Sequence, residues 1–136
     1  MRKLVLAAVT LFAMVGCAER TSPAQSGSTP PPPGPALGAD FTVAKEKSVR
    51  LSTGDVEVAY NALVEDSRCA PGTTCVWEGD ATVRITLNVG GGPEALQLHT
   101  NPQFATTANS GGYKVELVNL DQPGDIATLR VSAAGE

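Results

Sequence analysis

One histidine, His99, and three cysteines in 136 residues leave little material for a transition-metal centre or for a nucleophile paired with a base. There is no Gly-x-Ser-x-Gly elbow, no phosphate-binding glycine loop and no Asp-x-Asp-x-Asp-Gly calcium order. The inventory therefore predicts a protein that is not an enzyme and uses neither metal nor cofactor. Positive charge is also scarce. Ten Lys and Arg against fourteen Asp and Glu give a net charge of −4, the wrong sign for holding a phosphate backbone, so nucleic acid is not an expected partner. A chain of this length supports one modest domain, which excludes a multidomain enzyme.

What is present is sorted by position. Residues 1–16 read as a signal peptide: Arg2 and Lys3 precede an apolar run over 4–16. As a helix that run extends only about 20 Å, short of the ~30 Å hydrocarbon core, so a permanent span is not expected. It ends in Met14-Val15-Gly16-Cys17, which resembles a bacterial lipobox. In that motif an apolar, a small or β-branched and a small residue precede a Cys that becomes the lipidated first residue of the mature chain; Met14 stands where Leu is most usual. The bland alternative is an ordinary secretory leader in which Cys17 is incidental.

Cysteine parity supports the lipid reading. Three is odd for an exported protein; acylation of Cys17 leaves Cys69 and Cys75, a pair able to close a small disulfide in an oxidising compartment. Two or more fatty acyl chains, at about 0.8 kcal/mol per buried CH₂, would hold the chain on a membrane where one would not. Residues 17–40 then comprise the lipidated Cys and a tether. Thr29-Pro30-Pro31-Pro32-Pro33-Gly34-Pro35 favours an extended polyproline II spacer, reaching between roughly 25 and 70 Å. Ala18 follows the lipid position; by resemblance to Gram-negative lipoproteins, where Asp at that place retains the protein at the inner membrane, its absence favours the outer membrane.

Residues 41–136 carry a period of two almost throughout. Val56, Val58, Tyr60, Ala62 and Val64 form one apolar face. Cys75, Trp77, Gly79, Ala81, Val83, Ile85, Leu87 and Val89 form another, predicting a strand over 75–89 with a bend at Gly79-Asp80 that lets it turn a corner and serve both sheets. Further strands are expected over 41–45, 49–52, 95–100, 113–120 and 126–132, separated by Gly- and Pro-containing turns, with a β-bulge between Leu117 and Val118. No window has a helical period. The expected fold is all-β: an antiparallel β-sandwich of seven or eight strands, Ig-like in outline, with one disulfide; a small open β-barrel is the alternative.

The most distinctive stretch is Asp66-Ser67-Arg68-Cys69-Ala70-Pro71-Gly72-Thr73-Thr74-Cys75-Val76-Trp77-Glu78-Gly79-Asp80-Ala81. It resembles a signature of small uncharacterised bacterial envelope lipoproteins: Asp-Ser-Arg-Cys-Pro, a short turn containing Gly, then Cys-x-Trp-x-Gly-x-Ala. Ala70 departs from the pattern by standing between Cys69 and Pro71. The resemblance implies an envelope protein and no activity.

Two readings of the stretch follow. In the structural one, a Cys69–Cys75 bond, worth about 2 kcal/mol by loop entropy, fixes a crossover, Trp77 packs in the core and Arg68 pairs with Glu65 or Asp66. In the functional one, Arg68 and the stapled loop of Ala70, Pro71, Gly72, Thr73 and Thr74 form a rigid contact surface, as in inhibitors and binding modules. The C-x₅-C spacing is not that of a redox pair. Glu65, Asp66, Glu78 and Asp80 are expected as a solvated acidic rim, and His99, on the parity opposite Leu96 and Leu98, as a surface residue beside Gln97.

The expectation is a lipid-anchored envelope protein acting as a non-enzymatic binding or inhibitor-like module on an envelope protein partner. The alternative is a structural or assembly accessory of the envelope with no dedicated ligand. Metabolic labelling with a clickable fatty acid should mark the wild-type chain and leave Cys17→Ser unlabelled; equal labelling of the two would end the lipoprotein reading.

Overall fold

Period two becomes eight strands in the computed structural model, which describes residues 33–135. They are β1 (Asp40–Ala44), β2 (Lys47–Arg50), β3 (Val56–Asp66), β4 (Ala81–Val89), β5 (Pro93–His99), β6 (Thr107–Ser110), β7 (Tyr113–Leu120) and β8 (Ile126–Ala133). The expected signal peptide, Cys17 and the tether up to residue 32 lie outside the described residues. No helix among the described residues is long and apolar enough to cross a membrane.

Two four-stranded antiparallel sheets result, ordered β2-β3-β4-β5 and β1-β8-β7-β6. Each is a meander, except that β1 returns to pair with β8. The chain passes between sheets at Lys45-Glu46 and again through residues 100–106, and the strands on either side of those crossings do not pair, so the sandwich stays open. Glu46 takes φ 65°, a left-handed conformation that lets the first crossing be made in two residues.

The core lies between the sheets and is mostly aliphatic. Val56, Val58, Val83, Ile85 and Leu98 from one sheet meet Val115, Leu129 and Val131 from the other, all fully buried. Register explains why parity reads so cleanly there. Val58 faces Leu87, Ile85 faces Leu96 and Val115 faces Val131, so each ladder puts like residues on the same side. β6, with the sequence Thr-Ala-Asn-Ser, is an edge strand with no large apolar side chain, and alternation does not reveal it. It joins β7 through Gly111-Gly112 at φ 57° and 83°, the two positive values of a type I′ hairpin.

The bulge expected at Leu117-Val118 is present: Leu117 pairs with Leu129 and Asn119 with Thr128, leaving Val118 over. Two further bulges in β3, after Tyr60 and after Leu63, correct the expected face. They shift the parity, so Leu63 packs against the core while Val64 points to water. The strand expected over 75–89 is also corrected. β4 starts at Ala81 and stays in one sheet, because its partner β3 ends at Asp66 and residues 75–80 have no strand to pair with. Cys75 and Gly79 fit the apolar parity only because they are small.

The sandwich also starts earlier than residue 41. The Pro35 carbonyl accepts the Ser52 N–H at 3.0 Å and the Gly38 N–H donates to Val131 O at 2.7 Å. At Gly34 a Cβ would collide with the Arg50 carbonyl. The end of the expected tether is thus laid against the domain.

One buried hydrogen bond ties the sheets together: the Tyr60 hydroxyl donates to the Gly124 carbonyl at 2.6 Å. Burial, with Asp121 and Asp125 nearby, pushes the phenol pKa up. Tyr60→Phe leaves that carbonyl without its donor and should cost about 1–2 kcal/mol, read as a lower urea midpoint at unchanged slope. A midpoint equal to wild type would show that the bond contributes nothing net.

Candidate functional site

At one end of the sandwich, three outward-facing residues line up across adjacent strands: Glu65 of β3 opposite Thr82 of β4, opposite His99 of β5. Two loops cover this rung, residues 67–80 between β3 and β4 and residues 100–106 between β5 and β6. Together they form a cleft of roughly 830 Å³. Trp77, Glu78 and Asp80 come to it from the first loop, Asn101, Gln103 and Phe104 from the second.

The first loop is pinned at both ends. Ser67 and Asp80 close its neck: the Ser67 N–H and hydroxyl donate to the Asp80 carbonyl at 2.7 and 3.0 Å, and the Asp80 N–H donates to the Ser67 hydroxyl at 3.1 Å. This approach requires Gly79, at φ 68°, where a Cβ would run into the Ser67 carbonyl. Further out, Cys69 and Cys75 form the expected disulfide, with Cα atoms 6.0 Å apart. Inside it, Thr73 N–H donates to Ala70 O at 3.2 Å with Gly72 at φ 78°, so Ala70-Pro71-Gly72-Thr73 has the marks of a type II turn. Ala70, the departure from the signature, supplies the turn's first carbonyl.

Arg68 is turned inward, its side chain only 13% exposed. Its guanidinium forks onto Asp66 through Nε at 2.9 Å and Nη2 at 2.7 Å, and donates to the Leu120 and Gln122 carbonyls at 3.1 and 3.0 Å. These bonds join the end of β3 to the end of β7 in the other sheet. The ion pair holds the Asp66 carboxyl below its ordinary pKa. Of the proposed contact residues, Ala70, Pro71, Gly72, Thr73 and Thr74 are exposed, whereas Arg68 is committed to this clamp.

Two expectations are corrected here. Trp77 is not in the core: with residues 75–80 outside the sheet, its side chain is 84% exposed beside a fully exposed Val76. His99 does face outward as parity required, but not into open water. Its ring lies at 5.3 Å from that of Phe104, and its Nδ1 donates to Asp80 Oδ2 at 2.6 Å with the Thr82 hydroxyl at 3.2 Å. Asp80 also accepts the Asn101 N–H at 3.0 Å and the Thr100 hydroxyl at 3.3 Å. Burial would raise the Asp80 pKa, but the hydrogen bonds from His99, Asn101 and Thr100 together outweigh it and hold the pKa low.

The acidic rim is accordingly divided. Asp66 and Asp80 are engaged internally, while Glu65 and Glu78 are exposed. Among the described residues no group of acidic, Cys and His side chains is placed to hold a metal ion. The Asp80–His99 pair is the base half of a catalytic triad, but the hydroxyl beside it, Thr82, shares Nδ1 with the carboxylate instead of facing Nε2. The bonds from Asp80 to His99, Thr100 and Asn101 tie together the two loops that wall the cleft.

Asn101, Gln103 and Phe104 were not singled out from sequence. Asn101-Pro102 is a turn signal, and the Asn101 Oδ1 indeed accepts the Gln103 N–H at 3.0 Å, but nothing local says that the turn lies over Thr82. Comparison of the chain with protein-family models, curated proteins and solved structures finds no match.

Arg68→Ala strips Asp66 and two carbonyls of their donors and should cost about 2–4 kcal/mol in urea unfolding. Asp66 and Asp80 both titrate, when folded, below their ordinary value of 3.8. Each therefore contributes stability that is present above that value and lost as pH falls through the lower folded one. Wild type should lose stability on acidification through this window, and Asp66→Asn with Asp80→Asn should lose less; an identical acid profile would place the dependence elsewhere.

Proposed function

We propose that this protein is a lipid-anchored component of the cell envelope that acts by binding a partner protein, not by catalysis. The lipid on Cys17 and the proline-rich segment after it are read as anchor and spacer, with the outer membrane as the location if the source is Gram-negative. The contact surface is the stapled loop 70–74 extended by Val76 and Trp77, with Arg68 holding its base.

The observation that carries this reading is the exposure of Trp77. Burying a side chain of that size is worth on the order of 2–3 kcal/mol, yet this one stands in water on a loop anchored by a disulfide and a hydrogen-bonded neck. Tryptophan on a preorganised loop is the composition of a binding hot spot, since little ordering entropy is lost on association. The alternative reading, a structural accessory of the envelope, draws on Arg68, Ser67 and Gly79, all of which serve the fold.

The test is crosslinking capture from intact envelopes. Trp77→Ala combined with Pro71→Ala, Thr73→Ala and Thr74→Ala should lose a specific envelope protein that wild type captures, at an unchanged melting temperature. Undiminished capture by a folded variant would move the contact surface off this loop, and no capture by folded wild type would favour the structural reading.

A further inference from the structure

The cleft beneath Trp77 has a composition that selects a class of ligand. Trp77 and Phe104, 84% and 54% exposed, give it two aromatic surfaces from different loops, and its side walls carry Glu65, Glu78 and Asp80 with no Lys or Arg in the lining. Arg68, in the same loop but outside the lining, is neutralised by its fork onto Asp66. Arg84 sits one outward rung further along β4, outside the lining. The site is defined by the cavity and its aromatic walls; the carboxylates decide only what fits.

We infer that this cleft takes a cationic side chain, the guanidinium or ammonium of a basic peptide segment on the partner, seated between the Trp77 and Phe104 rings and faced by Glu65 and Glu78. An aromatic face attracts a cation through its quadrupole, and flanking carboxylates complete a charge-complementary seat. Glu65 and Glu78 have no ion-pair partner among the described residues, so neither must break a salt bridge to receive a ligand. The inference rests on the binding-module reading and names what is bound.

Trp77 is the chain's only tryptophan, so its emission reports on the cleft directly. The purified full chain is titrated with a blocked Arg-Gly repeat peptide, a Glu-Gly repeat peptide and maltohexaose as a neutral sugar. The expected result is a saturable emission change with the Arg-Gly peptide alone. Glu65→Gln with Glu78→Gln should weaken it about tenfold, and Arg84→Gln, removing the neighbouring positive charge, should tighten it. Saturation by maltohexaose and not by the Arg-Gly peptide would overturn the cationic assignment in favour of a sugar cleft. No saturation by the peptide, in protein with native circular dichroism, would overturn it as well. In either case the binding-module reading is decided separately, by whether Trp77→Ala abolishes envelope capture.

Discussion

The guanidinium of Arg68 stands where the two sheets, the disulfide-bonded loop and the β7–β8 turn meet, and the geometry of that end of the molecule depends on it. Its planar fork matches the Asp66 carboxylate on one side and two main-chain carbonyls on the other, an arrangement a lysine ammonium could not reproduce. An open sandwich has no backbone ladder between its sheets, so the face-to-face contact is held mainly by side-chain packing. Arg68 and the Tyr60 hydroxyl add directional bonds across that gap at the same end.

Those bonds brace the base of the loop above them. Residues 67–80 are closed once by Ser67 and Asp80 at the neck and again by Cys69 and Cys75 further out, and Asp80 is in turn bound to His99 at the end of β5 and to Thr100 and Asn101 of the neighbouring loop. The two loops are thus one hydrogen-bonded unit seated on the sheet end. A surface so constrained presents Trp77 and Phe104 without much freedom to lose, which is the condition for an exposed aromatic to contribute to association.

Much of the fold was legible in the chain because burial in a sheet has a short period. The strands around Val58, Ile85, Val115 and Leu129, the bulge at Val118 and the glycine turns all follow from local alternation and backbone freedom. The site was legible in part. The Cys69–Cys75 bond and an Arg68–acid pair could be anticipated, but choosing Asp66 over Glu65 depended on where β3 ends. The placing of Trp77 failed for the same reason: alternation assigns a face only where a neighbouring strand pairs, and residues 75–80 have none.

By itself the sequence determined the period of the strands, the positions of the Gly- and Pro-containing turns, the all-β class and the residues available for a staple. Only the tertiary structure decided that Glu65, Thr82 and His99 share one rung, that Phe104 comes to lie beside His99, and that Trp77 faces a cleft instead of a core. Side-chain alternation is a property of a few consecutive residues and is written in their order. Cross-strand register and the meeting of two loops arise from contacts between segments distant in sequence, and local order does not specify them.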